Sequence, residues 1–123
     1  MKVNCGTDII EIERIQESIE TMGERFLERV FTPKEILYCE SKKTQKYQHY
    51  AARFAAKEAT FKAISDQLQD KYEIGWTDIE IIKSEQGKPS IELLKPIHTI
   101  ETIDISISHC KTFAVATVVT TVK

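Results

Sequence analysis

One long segment without Gly or Pro limits the folds that are open to this chain. From about Tyr47 to Leu68 the sequence is rich in Ala, Lys, Glu and Gln, which predicts the longest helix of the protein. At 3.6 residues per turn, this helix has an aromatic stripe (Tyr50, Phe54, Phe61) and a broad face of small residues. The small face contains Ala51, Ala52, Ala55, Ala56, Ala59 and Ala63. We therefore expect the long helix at the centre of the fold.

Shorter patterns surround this helix. Apolar residues three or four positions apart predict a helix from Ile12 to Met22 that stops at Gly23, and a short helix follows near 26–31. The capping box Thr32-Pro33-Lys34-Glu35 begins a helix that runs to about Glu40. Alternating residues predict strands at Val3–Ile10, Trp76–Lys83, Ser90–Leu94, 103–108 and Phe113–Val122.

This order of elements indicates the fold class. Helices come mostly first and antiparallel strands mostly later, which is typical of an α+β protein. We expect an antiparallel β-sheet packed against the long central α-helix, with shorter N-terminal helices. A chain of 123 residues is expected to form a single domain over residues 1–123.

Composition excludes several classes of function. With 17 Lys+Arg, 19 Asp+Glu and a net charge of -2, the chain as a whole lacks the basic character of a nucleic-acid-binding protein. No apolar run approaches the ~20 residues of a membrane helix, and we expect no secretion signal. Three cysteines without a C-x-x-C pattern favour a reducing, cytoplasmic location. Locally, residues 34–62 hold seven basic and three acidic side chains, so this segment is suited to phosphates or an acidic partner.

Glu58 is the most informative polar residue of the long helix. It lies with Lys62 between the two apolar surfaces, while Arg53, Lys57 and Thr60 fall on the remaining, more polar side. A carboxylate flanked by apolar surface needs a partner. The partner is either Lys62, four residues on in the favourable order, or a divalent cation with Lys62 beside a phosphate.

Two further residues have a structural and a functional interpretation. Asp8, beside Gly6 on the first strand, is either a second metal ligand or a cap for the helix that opens near Glu11. His109, at the end of the 103–108 strand, is either a surface residue or part of a site. Neither His49 nor His98 has zinc-ligand spacing to it, and phosphate-binding loops and G-x-S-x-G are absent.

Together these segments resemble the holo-acyl-carrier-protein synthases. The blocks that carry the resemblance are GTDIIEI (6–12), FTPKEI (31–36), RFAAKEA with FKA (53–59, 61–63), GKP (87–89) and ISISH (105–109). They occur in the order of the family and span nearly the whole chain. The resemblance implies a Mg²⁺-dependent 4′-phosphopantetheinyl transferase, which moves the phosphopantetheine arm of coenzyme A to a serine of an apo-acyl carrier protein and releases adenosine 3′,5′-bisphosphate.

The resemblance also implies an assembly and a set of site residues. The family is typically a homotrimer with active sites between subunits. Asp8 and Glu58 correspond to metal ligands, and Asp8, Glu58 and Lys62 correspond to the catalytic set. Lys62, His109 and Arg53 correspond to residues that bind coenzyme A, while the region that docks the carrier protein contains Arg14, Arg25, Phe26 and Arg29. Whether Glu58 or a metal-bound water accepts the serine proton stays open.

Two positions depart from the usual family pattern. Phe113 stands where a Tyr is common, which removes a hydroxyl group, and residues 65–73 contain no Gly where a Gly-rich loop is common. Two other functions remain as alternatives: a small thioesterase acting on coenzyme A thioesters without Mg²⁺, and a non-enzymatic binding module.

Overall fold

The computed structural model describes all residues from 1 to 123. Four α-helices and five β-strands follow the order β1 (Lys2–Glu11), α1 (Ile12–Met22), α2 (Glu24–Val30), α3 (Pro33–Glu40), α4 (Lys46–Ile64), β2 (Ile79–Lys83), β3 (Pro89–Leu93), β4 (Ile100–His109) and β5 (Phe113–Val122). The predicted α+β class is confirmed. None of these helices combines the length and apolar character needed to cross a membrane.

The strands form two antiparallel sheets. One sheet has three strands in the order β1-β5-β4, and the other is the β2-β3 hairpin. Asp8 of β1 and Ile107 of β4 both pair with Ala116 of β5, so they lie opposite each other across the central strand. This register places Asp8 and the His109 end of β4 at the two edges of the larger sheet.

Helix α4 takes part in two apolar clusters that follow one another along its length, rather than lying on the two predicted apolar surfaces. One cluster joins the later alanines of α4 to Ile105 and Val118 of the larger sheet and to Ile79 of the hairpin. The other joins Tyr50 to Phe31 and to the buried face of α1. The central position of the long helix is therefore confirmed.

Three element boundaries differ from the sequence-based expectation by three residues or more, and one of them is the start of β4 at Ile100 rather than at residue 103. The long helix ends at Ile64 rather than Leu68, because residues 65–67 tighten into a 3₁₀ turn. The predicted strand Trp76–Lys83 begins only at Ile79, since Trp76–Asp78 form another 3₁₀ turn. The Asp78 carboxylate accepts a hydrogen bond from the Gly75 amide at 2.8 Å and so competes with strand pairing.

The prediction that one side of α4 is polar is also wrong. Arg53, Lys57 and Thr60 are buried, because α3 and the β2-β3 hairpin cover this side. The Lys57 ammonium lies 2.6 Å from the Glu35 carboxylate, and both side chains are fully buried. Thr60 Oγ1 donates to the carbonyl of Ala56, one turn earlier. Lys57 and Thr60 are tolerated because each has a hydrogen-bond partner inside the protein, whereas the buried Arg53 Nε has none.

Gly6 allows β1 to approach α4 closely. A Cβ atom at this position would collide with the carbonyl oxygen of Ala59 and would lie 2.8 Å from Lys62 Cβ and 2.9 Å from Ala63 N. No side chain larger than hydrogen fits there without moving the strand or the helix. The contact therefore determines how near the residues after Gly6 come to the last turns of α4.

We expect Gly6→Ala to lower the free energy of unfolding by about 1–3 kcal/mol, as overpacking does. Gly75→Ala is the matched control, because the nearest atom to its added Cβ is Asp78 Oδ2 at 3.6 Å, an ordinary contact. Urea unfolding of both variants measures the difference. Equal stability of the two variants would contradict the close approach.

Candidate functional site

Asp8 and Lys62 meet where β1 crosses α4. Asp8 is two residues after Gly6 and therefore faces the same side of the strand. Lys62 Nζ lies 3.4 Å from Asp8 Oδ1 and donates to the carbonyl oxygen of Thr7 at 2.9 Å. The cation of Lys62 is thus held by β1, and the ion pair with Glu58 that spacing alone allowed is not formed.

Asp8 does not cap a helix either. Helix α1 begins at Ile12 after the N-cap residue Glu11, and no side chain caps it. The Asp8 side chain is mostly covered, with 18% exposed, and faces Lys62. The alternative that Asp8 caps helix α1 is therefore excluded.

Glu58 completes a group of two carboxylates and one ammonium. Burial raises the pKa of the Glu58 carboxyl, the Asp8 charge raises it further, and Lys62 acts in the opposite direction. Two acidic groups beside a single lysine leave an excess of negative charge in a half-buried place. Such an arrangement is unfavourable without a further cation.

These two carboxylates suit Mg²⁺ better than a metal ion whose ligands all come from protein side chains. No group of three or more His, Cys, Asp or Glu side chains converges anywhere in the chain. Mg²⁺ commonly binds through one or two carboxylates and takes its other ligands from water and substrate phosphates. Asp8 and Glu58 are such a pair, and Lys62 is a point charge for the same phosphates.

Arg53 and His109 line a different cavity of about 160 Å³. Its wall includes the GKP block through Gly87 and Pro89, together with Ile107 and the β2 residues 81–83. Arg53 is buried, its guanidinium lies 4.2 Å from the centre of the Tyr38 ring, and its Nε has no hydrogen-bond partner. A buried, unsatisfied guanidinium nitrogen is suited to an anionic ligand.

The sequence did not single out Tyr38 and Lys83, which line this cavity, and His49 was considered only as a zinc ligand. Burial acts to raise the pKa of Tyr38, but Lys83, Lys42 and Arg53 outweigh it and the pKa is lowered. His49, whose ring lies 6.3 Å from that of His109, has its pKa lowered to about 4 by burial and by Arg53. The basic excess of residues 34–62 indicated this region, but it could not show which side chains converge.

The two groups of residues lie on opposite flanks of α4. Arg53 and Glu58 are five positions apart, which is roughly 140° around a helix. Asp8 and His109 lie on β1 and β4, the two edge strands on either side of β5. Within one chain, the carboxylate group and the Arg53–His109 cavity therefore do not form a single site.

The predicted docking residues do share one surface. Arg14 borders a depression of about 360 Å³ on α1, and Arg25, Phe26 and Arg29 border a neighbouring one of about 210 Å³. The two depressions share Thr21 and Met22. The three arginines are exposed, whereas Phe26 is half-buried and stacks on Phe54 with ring centres 6.4 Å apart.

Both departures from the family pattern lie outside the carboxylate group. Phe113 is 42% exposed at the start of β5, where its carbonyl accepts from the Cys110 amide and closes the turn after His109. The Gly-free segment 65–73 forms part of a cavity of about 430 Å³ beside the end of α4. The residues lining it are Phe61, Ser65, Leu68, Lys71, Tyr72, Ile74, Gly75 and Trp76.

Comparisons with known proteins agree with this geometry. The family model of the 4′-phosphopantetheinyl transferase superfamily matches residues 4–118. A holo-[acyl-carrier-protein] synthase of Ruminiclostridium cellulolyticum is 47% identical over 122 residues, which cover 94% of this chain and 90% of the relative. The corresponding protein of Protochlamydia amoebophila is 44% identical and covers 94% and 95% of the two chains.

Solved structures give the same assignment. The holo-[acyl-carrier-protein] synthase of Helicobacter pylori, in complex with coenzyme A, superposes with a TM-score of 0.80 at 36% identity and covers 95% of this chain and 99% of its own. The Bacillus anthracis enzyme, in complex with CoA (3′,5′-ADP), has a TM-score of 0.77 at 36% identity and covers 95% and 94%. The resemblance drawn from the sequence blocks is confirmed, and the chain belongs to the 4′-phosphopantetheinyl transferase superfamily.

Proposed function

We propose that this protein transfers the 4′-phosphopantetheine arm of coenzyme A to a serine of an apo-acyl carrier protein and releases adenosine 3′,5′-bisphosphate. One observation carries the proposal: Asp8, Glu58 and Lys62 converge where Gly6 brings β1 against α4. The family match and the relatives named as holo-[acyl-carrier-protein] synthases support the same reaction.

The reaction moves one phosphoryl group between two oxygens. The serine oxygen forms a bond to the phosphorus that carries pantetheine, and the pyrophosphate bond to the nucleotide breaks. Lys62 lies beside the phosphates and balances their charge. The serine proton needs an acceptor within the site, which is either Glu58 or a water molecule held beside it.

Asp8 and Glu58 are the residues that would hold Mg²⁺. When bound, the ion withdraws charge from the phosphate oxygens and from the departing nucleotide. The excess negative charge of the carboxylate group supports this assignment, since the chain supplies only Lys62 against it.

We expect the purified protein, mixed with coenzyme A, Mg²⁺ and an apo-acyl carrier protein, to add one phosphopantetheine to the carrier, as measured by mass spectrometry. Glu58→Gln keeps the volume but removes a charge, and should lower turnover at least about 100-fold, since even losing a residue that only orients a ligand costs 10- to 100-fold. Glu101→Gln, an exposed residue of β4, is the control.

Three outcomes would contradict the proposal. Absence of the adduct on every apo-carrier tested would exclude the transfer reaction. Near-normal turnover of Glu58→Gln at limiting Mg²⁺ would exclude the metal assignment. Hydrolysis of coenzyme A thioesters that survives a chelator would favour the thioesterase alternative.

We further propose that the complete site forms between copies of the chain in a homotrimer. The Arg53–His109 cavity and the carboxylate group lie on opposite flanks of α4, and for this reason we assign the two halves of the coenzyme A site to neighbouring subunits. The side of the larger sheet that faces away from α4 supports self-association. On β1 this side exposes the alternating residues Val3, Cys5, Thr7 and Ile9, with Val3 59% and Ile9 61% exposed.

Mixing two inactive variants tests this arrangement. Glu58→Gln disables the carboxylate half of the site, and His109→Ala disables the cavity half. A homotrimer of either variant alone therefore contains no complete site. After the subunits are exchanged at equal amounts, about a quarter of the sites should combine two intact halves and regain activity. Activity that stays at the level of the separate variants, in trimers shown by mass to be mixed, would contradict the shared site.

We propose that Arg14, Arg25, Phe26 and Arg29 dock the carrier protein. Three exposed arginines and one acidic residue, Glu17, border the shared surface of α1 and α2, and this positive excess suits an acidic partner. We place the reaction in the cytoplasm, as the three free cysteines suggest. We also treat residues 1–123 as one transferase domain, which the match to residues 4–118 supports.

We expect Arg14→Glu to raise the KM for the carrier protein about tenfold or more, because it reverses a charge at the docking surface, while the KM for coenzyme A stays unchanged. Steady-state kinetics with each substrate varied in turn measures both constants. Arg14→Gln should have a smaller effect in the same direction. An equal loss for both substrates would show that Arg14 is structural.

A further inference from the structure

The buried lysine next to Glu58 has no part in the chemistry described above. Lys57 Nζ lies 2.6 Å from Glu35 Oε1 and donates to the carbonyl oxygens of Val30 at 2.7 Å and Trp76 at 3.0 Å. All three donors of the ammonium group are therefore used. Lys57 connects α4 to the end of α2 and to the 3₁₀ turn that begins at Trp76.

The backbone that Lys57 holds at Trp76 carries one ring of an aromatic row of four. The Trp76 ring stacks on Phe54 with ring centres 5.1 Å apart, and packs edge-on against Phe61, also at 5.1 Å. Phe54 stacks in turn on Phe26 of α2. Lys57 thus fixes the backbone at two points along this row, at Val30, four residues after Phe26, and at Trp76 itself.

Trp76 and Phe61 form a wall of the 430 Å³ cavity beside the end of α4. Five of its eight lining residues are hydrophobic, and its volume lies in the range of about 300–1,000 Å³ that is typical of ligand pockets. Along α4, Glu58, Phe61, Lys62 and Ser65 are three, four and seven positions apart and share one face. Through Phe61 and Ser65 the cavity therefore borders the helix face that carries Glu58 and Lys62, although neither of these charged residues lines it.

We propose that Lys57 is a positioning residue for the transfer reaction: by holding the Trp76 carbonyl, it fixes the wall of a cavity that receives the uncharged arm of coenzyme A. This inference rests on the proposed function. The arm is bonded to the phosphate that Lys62 faces, and it carries amides and a thiol but no charge. An apolar cavity on the same helix face matches this chemistry, whereas the basic Arg53–His109 cavity suits the nucleotide.

The test compares coenzyme A with 3′-phosphoadenosine 5′-diphosphate, which keeps both phosphates of the pyrophosphate and lacks only the uncharged arm. The affinity for the nucleotide should stay within about twofold in Lys57→Met, whereas the affinity for coenzyme A should fall about tenfold or more. Calorimetry measures both. Trp76 is the only tryptophan of the chain, so its fluorescence reports the wall directly, and the emission should shift to longer wavelength. Lys2→Met, in the exposed ion pair with Asp66, is the matched control.

Loss of Lys57 alone leaves Glu35 buried without its partner and lowers stability. A second variant therefore separates the effect on the position of Trp76 from the effect on stability. Glu35→Gln/Lys57→Met removes both charges and should recover most of the lost stability. It should still show the shifted emission and the weaker coenzyme A binding, because Trp76 has lost its donor.

Recovery of coenzyme A affinity together with stability would show that Lys57 is merely structural and overturn the proposal. Equal weakening of both ligands would overturn the assignment of the arm to this cavity. Wild-type protein that binds neither ligand would contradict the proposed function, while the fluorescence of the double variant would still decide whether Lys57 holds Trp76.

Discussion

The buried ion pair of Lys57 and Glu35 connects the parts of this protein that surround α4. Glu35 accepts hydrogen bonds from the amides of Thr32 and Ile81 at 2.8 Å, while Lys57 holds Val30 and Trp76. Because the pair has no access to water, its charges are tolerated only while every partner is in place. The ends of α2 and α3, the β2 strand and the turn at Trp76 are therefore held to one helix by a single charged contact.

On the opposite flank of α4, packing brings two like charges together, which lowers stability. Gly6 lets β1 approach the helix so closely that Asp8 lies beside Lys62. Glu58 is close enough for the Asp8 charge to raise its pKa, although burial contributes more. Stability alone does not favour two carboxylates with one lysine, and this excess of charge is what a phosphate-bound divalent cation would neutralise.

The size of the chain explains why the proposed site is shared between subunits. A domain of 123 residues has one helix long enough to carry both groups of site residues, and they lie on its two flanks. A cleft deep enough for coenzyme A and a carrier protein would require a second layer around α4. The outer side of the larger sheet, with Val3 and Ile9 exposed, offers a way to obtain that layer from another copy.

Local patterns in the sequence determined the elements and the family. The capping box at Thr32, the Gly-free and Pro-free run of α4 and the alternation before His109 each depend on neighbours along the chain, and each was predicted correctly. The ends of elements were less certain, since polar side chains such as Asp78 close turns by hydrogen bonds that periodicity does not show.

The tertiary structure decided which polar residues meet. A helical wheel places Lys57 on a polar side, but that side is buried because Glu35 arrives from α3 to pair with it. Lys62 was equally well placed for Glu58, yet it bonds to Asp8 and Thr7 because the Gly6 contact brings β1 within reach. The sequence by itself predicted which residues carry the chemistry. Only the packing of distant segments decided their partners, because the strength of a charge pair depends on distance and burial, which spacing along one helix does not define.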